Sequence, residues 1–311
     1  MGGKAALAAL IAAQGGEEVG EFPLRCHVHR CSLAETGGVE MRTQAEKGRE
    51  FRELHERSGL ILLPNPWDAG TAKLLQSLGF EALATTSLGM SNALGRVDGD
   101  NAVSREELLE NCRVIASATD LPVNADLENG YADDPKVAAT ILRDAAAVGI
   151  VGGSIEDWSG DRIYDFNHAV ERVAAGAEMA RSLDVPFTFT ARAENLIRGV
   201  KDLDDTIRRL QAFEKAGADV LYAPGLHDLS TMRTVASELK KPLNVVMSAG
   251  DPDLTAEQIA ATGVKRISVG GALSRLALAA FMKGAKDMKA GNFQWMRDTM
   301  PTSELKKVFA A

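Results

Sequence analysis

Cysteine is scarce in this 311-residue chain, with three residues at positions 26, 31 and 112. Three cysteines make no disulfide framework, so a reducing cytoplasm is the expected compartment. Long apolar runs are missing as well. No stretch approaches the roughly 20 apolar residues that a membrane-spanning helix needs. Basic residues are outnumbered, 35 Lys and Arg against 43 Asp and Glu, for a formal net charge of −8. That balance argues against nucleic acid or an anionic membrane as a partner. A local Arg cluster or a bound cation can still receive a small anionic substrate. No G-x-G-x-x-G follows the first strand-like run, which lowers a dinucleotide-binding reading. What remains, 45% hydrophobic and 25% charged residues, is the make-up of a globular protein.

The first forty residues stand apart. "MGGKAALAALIAAQGGEEVGEF" opens like a signal peptide, but it lacks a strong basic start, and Gly-Gly-Glu-Glu follows where a clean cleavage site belongs. "CHVHRC" at 26–31 offers two Cys and two His. Ligands crowded into consecutive positions cannot easily close a tetrahedron around one zinc. Residues 1–40 are therefore expected to form a flexible extension, with a single barrel domain over 41–311.

From residue 60 onward short β-rich runs alternate with stretches of helical period. The predicted strands are 61–67, 82–88, 122–127, 149–156, 186–192, 218–224, 243–248 and 266–270. Helices are predicted over 70–78, 105–118, 135–147, 167–183, 203–216, 229–239 and 256–261. A long helix follows Gly271, and "TSELKKVFAA" gives a short final one. Gly79, Gly149, Gly217 and Gly263 stand where a left-handed residue would stop a helix before the next strand. The strands read as continuous Val/Ile/Ala runs, the mark of a parallel sheet buried on both faces. Eight such units fit a (β/α)8 TIM barrel better than an open doubly wound sheet.

Barrel enzymes carry their chemistry at the C-terminal ends of the strands. In this chain those ends are acidic. Asp98 closes the loop after the second strand, and "VNADLENGYADD" places Asp126 and Glu128 at the end of the third. Alternation along a strand would aim both acids at one side. "SIEDW" adds Glu156 and Asp157, and "TARAEN" adds Arg192 and Glu194. Taken singly, Asp98 or Asp157 could be a helix N-cap, and Glu194 could simply pair with Arg192. Converging on one rim, so many acids would repel one another without a counter-charge. A divalent cation plus one Arg is the economical solution. Oxygen ligands without His or Cys point to Mg2+ or Mn2+.

These segments, in this order, resemble the isocitrate lyase/phosphoenolpyruvate mutase superfamily over about residues 58–285. "TSLGMSNALGRVD" is similar to its substrate loop, ending at Asp98. "PVNADLENGY" aligns without a gap on its P-x-x-x-D-x-D-x-G-Y segment, with Glu128 on the second acid. "SIEDW", "TARAEN" and "ISVGGALSRLA" resemble its fourth, fifth and closing strands. The resemblance implies a metal site of Asp126, Glu128, Glu156 and Asp98, with Asp126 the direct ligand and the others mainly holding its waters. It also implies a small 2-oxo acid bound as its enolate, with Arg192 clamping the carboxylate. The backbone N–H groups around Thr86, Ser87 and Leu88 could hold the remaining anionic oxygens, beside Asp98.

The expected activity is thus that of a Mg2+-dependent lyase. It would cleave a C–C bond next to the enolate of a small 2-oxo or 2-hydroxy carboxylate, by retro-aldol cleavage or decarboxylation. Phosphonopyruvate mutase or hydrolase chemistry is the alternative, and a non-catalytic 2-oxo acid binder a further one. Schiff-base aldolase chemistry needs a Lys at a strand end, and no predicted strand ends in one. The lid that carries a Cys proton donor in isocitrate and methylisocitrate lyases has no counterpart, because "DWSGDRIYDFNHAVER" is short and holds neither Cys nor Lys. Arg192, Tyr131 and Glu156 are the catalytic candidates, with Asp161, Tyr164 and His168 as further acid/base groups nearby. The resemblance implies a last helix exchanged between subunits, so "LALAAFMKGA" suggests a homodimer or homotetramer, with an ordinary eighth barrel helix packed on its own subunit as the alternative.

Overall fold

Local capping signals set most of the helix boundaries in the computed structural model, which describes residues 41–99, 102–251 and 253–310. The "CHVHRC" segment and the extension expected over residues 1–40 lie outside that range. The order is α1 (Gln44–Glu56), β1 (Ile61–Leu63), α2 (Ala69–Ser77), β2 (Leu83–Ala84), α3 (Ser87–Ala93), α4 (Arg105–Ala118), β3 (Val123–Asp126) and α5 (Pro135–Ala147). It continues with β4 (Gly152–Glu156), α6 (Phe166–Arg181), β5 (Thr188–Arg192), α7 (Leu203–Ala216), β6 (Val220–Tyr222), α8 (Leu229–Ser237) and β7 (Leu243–Val246). The last elements are α9 (Ala256–Ala260), β8 (Arg266–Ser268), α10 (Ala272–Lys289), a 3-10 turn (Gln294–Asp298) and α11 (Thr302–Ala310). Ser104 caps α4 in a reciprocal box with Glu107, and Asp134 with Pro135 starts α5. Gly217 ends α7 at φ 109°, a left-handed turn that an L side chain would strain.

The eight strands are all parallel and pair in the order β1-β8-β7-β6-β5-β4-β3-β2. The seam between β1 and β2 is bridged by the Ala84 N–H donating to the Pro64 carbonyl at 3.0 Å. With helices between the strands, this is the (β/α)8 barrel expected. Helix α1 covers its N-terminal end, where Phe51 and Leu54 pack with Ile61, Leu63 and Val151. Gly152 is required there, because a Cβ on it would stand 2.8 Å from the Phe51 ring.

The barrel interior departs from the sequence reading. The runs taken as apolar on both faces turn Asn124, Ser154, Thr190, Asn244, Arg266 and Ser268 inward, all buried. The large hydrophobic core lies instead between the strands and the surrounding helices. Two helices were also unforeseen. α1 precedes the first predicted strand, and α3 occupies part of the stretch read as the loop between the second strand and Asp98, capped by Thr86.

Candidate active site

Because the strands are parallel, the ends of β2 to β5 share one rim, and this brings the acids together. Asp126 is the last residue of β3. Its backbone N–H donates to the Thr85 hydroxyl at 3.0 Å. One carboxylate oxygen accepts from the Ser87 N–H (3.2 Å) and hydroxyl (2.9 Å). The other accepts from Arg192 Nη1 at 2.8 Å. Arg192, at the end of β5, is the hub of the rim. Its Nη2 lies 3.0 Å from Glu156 and 2.9 Å from Glu194, and its guanidinium stands over the Tyr222 ring at 5.1 Å. Arg198 adds a second cation, 3.3 Å from Glu156 and 3.5 Å from Glu194, and rests on Trp158.

Glu128 corrects the alternation argument. The strand ends at Asp126, and Glu128 adopts φ 51°, so a left-handed turn, not the strand pleat, aims its carboxylate. Tyr131, at φ 59°, is the only other described non-glycine residue with positive φ. Sparsely populated backbone of this kind gathers at functional sites. Arg172 holds the turn from one side, donating to the carbonyls of Asn129, Ala132 (2.6 Å) and Asp133 (2.7 Å).

Two guanidiniums do not balance Asp98, Asp126, Glu128, Glu156 and Glu194. The surplus is visible in proton affinity. Burial, then Asp126 and Asp98, push the Glu128 carboxyl up to about 7. Burial and Glu194 raise Glu156 well above the usual carboxylate range despite Arg192. Asp98 is raised by burial and by Asp126. Hence the rim is short of positive charge by its own side chains. Among the described residues no three of His, Cys, Asp or Glu stand together as a ready cage for an ion. The donor set suits a hard divalent cation that keeps several waters, as Mg2+ does, and does not suit a closed structural metal site.

Several candidates fall elsewhere. Asp157 faces the helix layer, 3.1 Å from Arg209 of α7, and accepts the Glu194 N–H at 2.8 Å, so it is neither a cap nor part of the rim. Of the backbone donors expected around Thr86, Ser87 and Leu88, the Ser87 N–H already has Asp126 as its acceptor, and the Thr86 hydroxyl accepts the Gly89 N–H at 3.2 Å. Leu88 turns its side chain toward Gly271. Asp161 pairs with Arg162 on an exposed turn, Tyr164 packs on Arg172, and His168 reaches the Asp133 carbonyl at 3.0 Å. Tyr131 alone among these acid/base candidates sits with the acids. Its hydroxyl is buried without a hydrogen-bond partner, and burial with Glu128 raises its pKa. In the segment after β4, Trp158 and Ile163 form a one-bridge turn that closes on itself. Below Asp126 and Arg192 a cavity of about 50 Å³ opens, lined by Asn65, Thr85, Ser154 and Tyr222.

Sequence reasoning missed Arg198, Arg172 and the Ser87 hydroxyl. Arg198 lies in the loop after β5, while Arg172 in α6 and Ser87 at the start of α3 reach into other segments, contacts that no local pattern marks.

Known proteins share this arrangement of elements. The family model for phosphoenolpyruvate phosphomutase matches residues 51–289. A solved lyase/mutase candidate from Burkholderia cenocepacia is 47% identical and superposes with a TM-score of 0.83, covering 86% of this chain and 97% of its own. Oxaloacetate decarboxylase from Ectopseudomonas mendocina is 29% identical, over 71% of this chain and 77% of that one. A solved phosphonopyruvate hydrolase, in complex with oxalate and Mg2+, has the same fold at 23% identity and a TM-score of 0.76, covering 85% of this chain and 95% of its own. With more than half of its length matched, and with an eight-stranded parallel barrel carrying the acids at one rim, the chain belongs to the phosphoenolpyruvate phosphomutase family, whose members are lyases and mutases.

Proposed function

We propose that the chain is a Mg2+-dependent lyase that breaks a C–C bond next to the enolate of a small 2-oxo or 2-hydroxy carboxylate. The observation that carries the reading is the Asp126 carboxylate, held between Ser87 and Arg192 on a rim with more acid than base. Asp126 would hold the cation directly, and Glu128, Glu156 and Asp98 would hold its waters. When bound, the cation supplies Lewis-acid stabilisation of enolate charge. Arg192 is anchored at Nε and Nη2 by Glu194 and Glu156. Only its Nη1 arm, now on Asp126, is available to exchange for a substrate carboxylate.

Decarboxylation of a 2-oxo diacid asks least of these residues. Carbon dioxide leaves neutral, so no acid is needed at the leaving group, and the enolate takes up one proton. The unpartnered Tyr131 hydroxyl is the available source. The absence of a Cys or Lys lid supports this over isocitrate-type cleavage. Phosphonopyruvate chemistry uses the same enolate site and remains the second reading, favoured by the match to the phosphomutase family model.

The test is a Mg2+-supplemented screen of oxaloacetate, methylisocitrate, dimethylmalate and phosphonopyruvate for pyruvate release, with phosphorus NMR on the last. Oxaloacetate turnover is expected. Oxalate should bind by calorimetry with Mg2+ and lose its affinity in chelator. Tight binding in chelator would overturn the metal assignment, and oxalate binding without turnover of any substrate would indicate a non-catalytic binder.

We also propose that α10 pairs with a second copy of the chain. Leu276 is 66% exposed and Phe281 70%, on a helix whose only buried residues are Ser274 and Gly284. Sedimentation should give a dimer or tetramer that Phe281→Glu dissociates; a wild-type monomer would refute the pairing.

A further inference from the structure

The N-terminal mouth of the barrel, opposite the acidic rim, holds a cavity of about 660 Å³. That is the size of a small-molecule site. It opens at the starts of β5, β6 and β7, under the end of α1, and its walls carry the opposite charge to the rim. Arg52, Arg181, Lys240, Lys241 and Lys265 line it, against Glu56 and Asp219. Five cations less two acids leave a local charge of +3 in a chain of −8. Among the described residues, none of the five pairs with a carboxylate.

Three of these cations are held in place without being neutralised. Arg52 donates to the Phe187 carbonyl at 3.2 Å, Arg181 to the Gly217 carbonyl at 3.4 Å, and Lys265 to the Gly59 carbonyl at 2.6 Å. Each guanidinium keeps further N–H groups for a ligand. Asp219 spends one carboxylate oxygen on the Phe189 N–H at 2.9 Å.

Two buried groups point the same way. Thr188, 2% exposed, belongs to the cavity wall, and its hydroxyl is buried without a partner. Behind the wall residue His55 lies Arg266, also 2% exposed and without a carboxylate partner. Its donors go to Asn244 (2.8 Å), Thr190 (3.2 Å) and His55 Nε2 (3.3 Å), all uncharged acceptors when the imidazole is neutral. Burial, and then Arg266, push His55 down to about 3, so the ring is neutral and its Nδ1 donates to the Phe51 carbonyl at 2.7 Å. A buried cation without a counter-ion acts over a longer range than a solvated one.

We infer that this mouth is a binding site for a small polyanion, a molecule with three or more negative charges on clustered phosphate or carboxylate groups. The site is separate from the acidic rim and does not rest on the enolate chemistry. Its test is calorimetry on the full chain, stripped of metal beforehand and free of chelator, with inorganic pyrophosphate in one arm and citrate in the other. Binding of one equivalent is expected in at least one arm, and the arm that binds identifies the chemistry. The double variant K240E/K241E, at two exposed positions, should weaken that binding by about tenfold or more. K306E/K307E on α11 removes the same charge elsewhere and should change it less than about twofold. Arg181→Gln should also weaken it, with Mg2+-dependent oxalate binding unchanged. No binding in either arm, or equal losses in the two double variants, would overturn the inference.

Discussion

Asp126→Ala is expected to lower kcat/KM by about 10³-fold or more while leaving the unfolding midpoint unchanged or slightly raised. The two halves of this result have different causes. Turnover falls because the carboxylate that would bind the cation is gone, and Lewis-acid stabilisation of an enolate amounts to several kcal/mol, about 4 kcal/mol for that factor. Stability holds because the rim already carries too much negative charge. The Asp126 charge helps to raise the proton affinity of Glu128, Glu156 and Asp98, so its removal relaxes three neighbours. Arg192 loses one contact and keeps Glu156 and Glu194. Ser87 loses an acceptor at a partly exposed position, a cost of about 1 kcal/mol that the relieved repulsion offsets. Asp126→Asn keeps the shape and an acceptor for Ser87, and should lose turnover comparably. Steady-state kinetics with the screened substrate and urea unfolding check both halves. Turnover within tenfold of wild type would sink the assignment of Asp126, and a large loss of stability would show that its role is structural.

Much of the barrel was legible because its signals are local. Helices α4, α5 and α7 begin and end where their caps place them, at Ser104, Asp134 with Pro135, and Asp202 with Gly217. The rim was legible for a topological reason. Parallel strands share an end, so an acid closing each of several strands must meet its neighbours. What stayed hidden needed side chains from distant segments. Helix α3 reads as a loop in the sequence because Ser87, Gly89, Ser91 and Asn92 are weak helix formers, and its N-cap Thr86 follows the end of β2 by only two residues. The polar interior was missed because short strands buried on both faces show no alternation to separate barrel-facing Asn124, Asn244 and Arg266 from the outward core. Glu128 was placed by strand period, whereas the chain turns left-handed after Leu127, a conformation that the following Asn129-Gly130 only hints at.

Glu128→Gln should stabilise the metal-free protein by roughly 2 kcal/mol at pH 8 and by close to nothing at pH 4.5. In the folded chain burial, and then Asp126 and Asp98, hold the Glu128 carboxyl at about 7, against an ordinary value of 4.5. Between these values the unfolded chain has lost its proton and the folded chain has kept it. Raising the pH through that window therefore favours the unfolded state. Below it both states are protonated and Glu128 contributes no penalty; above about 7 both are ionised and the loss is complete. Two and a half pH units correspond to about 3 kcal/mol, taken here as roughly 2 because Glu128 is only partly buried and solvent screens part of the repulsion. The variant comparison is needed because His55 works in the opposite sense. Held neutral down to about 3, it adds stability as pH rises toward its ordinary 6.5 and masks Glu128 in the wild-type curve. Subtracting variant from wild type cancels that contribution. Millimolar Mg2+ at pH 8 should narrow the gap, since a cation at the rim compensates the charge that Gln removes. Urea unfolding at pH 4.5, 6, 7 and 8, with chelator and with Mg2+, measures it. A difference that stays flat with pH would mean that Glu128 titrates normally and that the rim carries no excess charge for a cation to relieve.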